Sequence, residues 1–141
     1  MLNLPLSFDP VFIKRGFDLV AAAESVIPDN FGSIHIEMKE VERLEVSFDV
    51  DNPPSTPFRK GGEEKMDVRK GGEYVRYSGY QIVGSELRPL PIGSTLDPKI
   101  GTFSWMPGPG FLGTYDLVFV GETGFGIAIR SPVTVTIKPK F

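Results

Sequence analysis

At 141 residues, with Gly 16, Pro 13 and Phe 11, the chain has the length of one domain and the composition of many short strands joined by turns. A formal net charge of −3 argues against a nucleic-acid footprint and against strong membrane attraction, and no apolar run approaches the roughly 20 residues that cross a bilayer. Zero cysteines exclude disulfides, thiolate metal sites and cysteine nucleophiles.

Residues 1–32 are the least regular part and are read as an N-terminal arm or linker that packs on the main domain or joins a preceding module. The first residues show no basic region leading into a long apolar stretch, so no signal peptide is legible. Pro10 to Phe17 has the composition of one strand closed by Gly16, and Asp18 to Ser25 is the one helix-friendly run, with Asp18 placed to cap it. Ile27-Pro28-Asp29-Asn30-Phe31-Gly32 is turn punctuation and marks the boundary.

From Ser33 the period is two. Ile34, Ile36 and Met38 share one face against His35 and Glu37; Leu44, Val46, Phe48 and Val50 repeat the pattern until Pro53 and Pro54 end it. Ser55 to Ser78 is polar and locally repetitive, Arg59-Lys60-Gly61-Gly62-Glu63 recurring as Arg69-Lys70-Gly71-Gly72-Glu73. Gly-Gly turns there predict hairpins such as 66–69 with 73–77. Six Lys/Arg against four Asp/Glu leave only a small basic excess.

Residues 79–84 read as a strand, and Leu87 to Pro91 as an edge or connection. The chain is organised around Leu96 to Val120. Asp97, Pro98 and Gly101 are turn residues. Phe103 and Trp105 then share one face, and after Pro107-Gly108-Pro109-Gly110 so do Tyr115, Leu117 and Phe119. Read as a hairpin, these strands need a second layer over their rings. Ile127, Ile129, Val133, Val135 and Ile137 keep one inward phase, and Pro132 falls on the other, at an outward bulge or a crossover between sheets. The expected fold is all-β, an antiparallel sandwich over 33–141.

Glu37 to Glu40, Leu44 to Ser47 and Asp49 to Asn52, followed by Leu90 to Pro98, Gly101 to Pro107 and Gly113 to Tyr115, resemble bacterial immunoglobulin-like and cadherin-like (dystroglycan-type) repeats. The resemblance covers about residues 33–138 and is most specific at 90–120; Ser55–Ser78 departs from it in length and charge. It implies an immunoglobulin-like sandwich, extracellular, cell-surface or periplasmic, serving as a spacer or adhesive module among flanking domains. Tyr115, two residues after a glycine and heading an alternating strand, suits a corner tyrosine packed against Trp105 across the sheets.

Gly108 to Gly113 matches G-x-G-x-x-G by letter, but a strand follows it where the dinucleotide fingerprint needs a helix N-terminus. His35 is the sole histidine, without a nucleophile elbow or thiolate partners, and is read as a surface residue. Asp49, Asp51 and Asn52 offer hard oxygens for calcium but lack the alternating loop ending in a bidentate glutamate. No catalytic residue and no cofactor other than calcium is expected.

The expectation is a non-enzymatic interaction module meeting protein partners through loops or an edge strand, with Arg59, Lys60, Arg69, Lys70 and Arg76 the candidate contact residues. The alternative is a carbohydrate-binding sandwich using Tyr74, Tyr77, Tyr80 and Phe125; Tyr74 and Tyr77, three apart, have opposite phases on an unbroken strand. A hydrolase, with two acidic groups facing across a cleft, is the third reading.

Overall fold

The computed structural model describes residues 4–16, 23–48 and 74–140. They form ten strands: β1 (Val11–Arg15), β2 (Glu24–Val26), β3 (Ile34–Lys39), β4 (Leu44–Ser47), β5 (Tyr74–Val83), β6 (Glu86–Arg88), β7 (Thr95–Asp97), β8 (Thr102–Trp105), β9 (Gly113–Thr123) and β10 (Ala128–Lys138). Two five-stranded sheets result, in the orders β2-β1-β4-β8-β7 and β3-β10-β9-β5-β6. The first is antiparallel throughout; the second has one parallel pair, β3 with β10. The expected all-β sandwich is present, mixed in one layer.

Alternation explains the elements. β3 buries Ile34, Ile36 and Met38 and exposes His35, Glu37 and Lys39, as period two requires. β4 sets Leu44 opposite Trp105 and Val46 opposite Phe103, so large apolar groups share the inner face. The core joins these to Leu117, Phe119, Val133, Val135 and Ile137.

Three expectations need correcting. The 103–119 pair is no hairpin: β8 and β9 belong to different sheets, and the Met106–Leu112 connection carries the chain from one layer to the other. The rings still share a core, now by facing each other, with Phe103 5.0 Å from Phe119 and Trp105 edge-on to Tyr115 at 5.3 Å. Next, the segment expected as an arm supplies β1 and β2. β1 pairs with β4, and Val11 and Ile13 are core residues. In the helix-friendly run, Glu24 and Ser25 belong to β2, and 18–22 lie outside the described residues. Of the hairpin expected between 66–69 and 73–77, residues 66–69 and 73 lie outside the described residues, and 74–77 pair along one edge with β9. Third, β10 runs in unbroken register with β9 through Pro132, without a bulge or crossover. Pro132 is tolerated because its missing N–H faces the point where the neighbouring lane passes from residues 5–7, which bond Arg130, to the start of β3.

Val41 adopts φ 65°, in the turn between β3 and β4. Its N–H donates to the Pro107 carbonyl at 2.9 Å, and Glu40 N–H donates to Lys138 O, so the surroundings hold a conformation a β-branched residue avoids. Val41→Asn is expected to stabilise the fold by about 1 kcal/mol, raising the calorimetric Tm by roughly 2–4 °C. An unchanged or lowered Tm would show that no strain is stored there.

Candidate functional site

One end of the sandwich gathers three connections. The chain leaves the first sheet after Phe48 and re-enters the second at Tyr74, which is the register partner of Thr123. The β7–β8 turn reaches the same end: Tyr77 N–H donates to Pro98 O at 2.8 Å, and Phe48 N–H donates to Gly101 O at 3.0 Å. The third connection is the β9–β10 hairpin tip.

That tip is a three-residue loop in which Gly126 N–H donates to Thr123 O and Gly126 takes φ 84°, the left-handed position such loops need. Thr123 organises it. Its hydroxyl accepts the N–H groups of Phe125 and Ile127, both at 3.2 Å, while its own N–H donates to Ile127 O at 2.8 Å. With Thr123 buried beneath, the backbone is fixed and the side chains have nowhere to go but outward. Phe125 is 77% exposed and Ile127 54%. Val75 stands beside them, at a bulge between Tyr74 and Arg76, and is 56% exposed. Arg76 is exposed next to it, with Glu122 as its cross-strand neighbour and no ion pair among the described residues.

Of the expected contact residues, the structure places only Arg76; Arg59, Lys60, Arg69 and Lys70 lie outside the described residues, as do Asp49, Asp51 and Asn52. Among the described residues no cluster of three or more metal-ligating side chains forms. Ile127, expected inward by phase, projects past the end of the core instead. The sequence reading missed Thr123 and Val75. A threonine ahead of Gly-x-Gly is a legible signal for a side-chain-capped turn, whereas a bulge is set by the partner strand.

The sugar platform loses a member. Tyr77 is buried, 5% exposed, and Tyr80 is half-buried opposite Val118, about 16 Å of strand from the Thr123 level. The phase argument against that platform also fails: the bulge at Val75 makes Tyr74 and Tyr77 register partners of Thr123 and Gly121, two positions of one phase. His35 is exposed and lies 3.5 Å from Asp29. Asp29 Oδ1 accepts the N–H groups of Ser33 and Phe31, which hold its carboxyl below the usual carboxylate range. Gly108 to Gly113 is the sheet-to-sheet connection, with β9 following it.

A cleft lined by Asp9, Phe48, Tyr77, Phe119 and Ser131 holds about 20 Å³, room for one water. Small-molecule sites usually run to roughly 300–1,000 Å³. The tip protrudes from the end of the sandwich, whereas this cleft is water-sized. Compared with protein-family models and with curated proteins, the sequence finds no match in either.

Proposed function

We propose that the chain is a non-enzymatic immunoglobulin-like module of an exported or cell-surface protein, meeting a protein partner with the end that carries Phe125. Strand order supports the fold reading: β1-β4-β8-β7 follows the A-B-E-D order of immunoglobulin domains, and β10-β9-β5 follows G-F-C. Tyr115 sits near the start of the strand equivalent to F, the place of the corner tyrosine, and packs on Trp105. Trp105 itself is on the strand equivalent to E rather than C. Export rests on the resemblance at residues 90–120.

The observation that carries the interaction reading is the Thr123-braced tip. A large ring held out in water on a rigid turn costs little entropy to immobilise on binding, the usual property of an interface anchor. The double substitution Phe125→Ser with Ile127→Ser is expected to lower retention of a protein partner by the immobilised chain at least tenfold, the loss of one anchor of about 1.4 kcal/mol or more. Its Tm should stay near the parent value, since neither side chain is buried. Charge reversal at Arg69, Lys70 and Arg76 is the companion change. Retention unaffected by both sets would remove this end as the contact surface.

A further inference from the structure

The two sheets are offset by one strand. β8 faces β9, through Phe103–Phe119 and Trp105–Tyr115. Counting outward from them sets β4 over β10 and β1 over β3, and leaves β2 overhanging the end of the other sheet. Among the described residues a strand-wide lane is therefore open beside β3, floored by β2, whose Val26 shares the inward phase of its register partner Val11.

The edge of β3 along this lane is open only in its middle. Even-numbered residues bond β10, as Glu40 N–H to Lys138 O continues one step past the strand, so Ser33, His35, Glu37 and Lys39 turn their N–H and C=O groups to the lane. Ser33 is capped: its N–H donates to Asp29 Oδ1 at 3.0 Å and its carbonyl accepts Asp29 N–H at 3.1 Å. Lys39 is capped in the same way by Glu42, whose Oε1 accepts its N–H at 2.9 Å and whose N–H donates to its carbonyl at 3.2 Å. His35 and Glu37 remain, with two N–H and two C=O groups that have no partner among the described residues. Their side chains are 65% and 70% exposed, His35 lying 3.5 Å from Asp29 and Glu37 3.3 Å from Lys138.

We propose that this window is a strand-addition site for an extended peptide segment bound antiparallel to β3. Three of its residues are engaged: a basic one opposite Glu37, an apolar one directed inward over Val26, and an acidic one opposite His35. A cation directly across from Glu37 is a favourable arrangement, a carboxylate across from His35 can accept a hydrogen bond from its ring, and four ladder hydrogen bonds satisfy the whole window. A second folded copy does not fit, because its own β1 would have to lie where β2 already does. The site is independent of the Phe125 end.

The test is a titration of ¹⁵N-labelled protein with the acetylated, amidated pentapeptide Thr-Lys-Val-Glu-Thr. The amides of His35 and Glu37 should shift and saturate in the range of about 1 mM, as suits four hydrogen bonds and one apolar side chain. Glu37→Lys should weaken binding at least fivefold, and the peptide with Glu in place of Lys should restore it. The proposal is overturned by no shift at His35 and Glu37 up to roughly 10 mM, or by shifts that Glu37→Lys leaves unchanged. It is also overturned by a concentration-dependent dimer that competes with the peptide.

Discussion

Phe119→Ala is expected to remove about 3–5 kcal/mol of folding stability, a large share of the roughly 5–15 kcal/mol such a domain holds. Phe119 is 2% exposed and ties both layers together, with its ring 4.7 Å from Phe48 and 5.0 Å from Phe103. It also lies against bare backbone: a Cβ on Gly79 would come within 2.8 Å of it. Truncation thus leaves a void whose walls come from two sheets and cannot collapse together. Urea unfolding should show the midpoint falling with little change in slope. A loss below about 1 kcal/mol would mean the site repacks, and the ring is not the bridge between layers.

Gly101→Ala is expected to cost about 2–4 kcal/mol, from two sources that can be separated. Gly101 takes φ 69°, which an alanine adopts only at some cost, and a Cβ there would lie 2.7 Å from the Tyr77 ring. The ring cannot retreat easily, since Tyr77 is 5% exposed and its backbone N–H donates to Pro98 O in the same turn. In a Tyr77→Ala background the steric part disappears, and Gly101→Ala should then cost only about 1 kcal/mol, the left-handed penalty alone. Equal costs in both backgrounds would show that the ring and the turn do not meet. Because Gly101 O also accepts Phe48 N–H, the substitution should loosen the point at which the chain departs for residues 49–73.

Both predictions concern features that the sequence discloses only in part. The apolar phases at 34–38, 44–48, 103–105, 115–119 and 133–137 are local, because a strand shows its two faces within a few residues, and they held as inner faces of the sandwich. Asp97, Pro98 and Gly101 were legible for the same reason: their turn is closed within five residues, with Asp97 O accepting Gly101 N–H. His35 as an outward residue followed from phase alone.

Strand partnership was not local, and there the reading failed. Phe103 and Phe119 have the same alternation whether their strands pair edge to edge or face each other across a core; only the connection from 106 to 112 and the competing partners β4 and β10 decide. Likewise the strand expected at 10–17 is present as β1, but its place in the first sheet is decided only when β4 is set beside it. The bulge that moves Val75 outward and returns Tyr77 inward depends on the register of β9.

Sequence by itself determined that this chain is all-β, which faces of its main strands turn inward, and where several turns fall, since these follow from side-chain period and backbone preference over short spans. Only the tertiary structure decided which strands share a sheet, that Phe125 and Ile127 stand clear on a Thr123-braced tip, and that β3 keeps a two-residue window between Asp29 and Glu42. Those are outcomes of competition among distant segments for the same hydrogen-bonding edges and the same core, and no short stretch of sequence contains them.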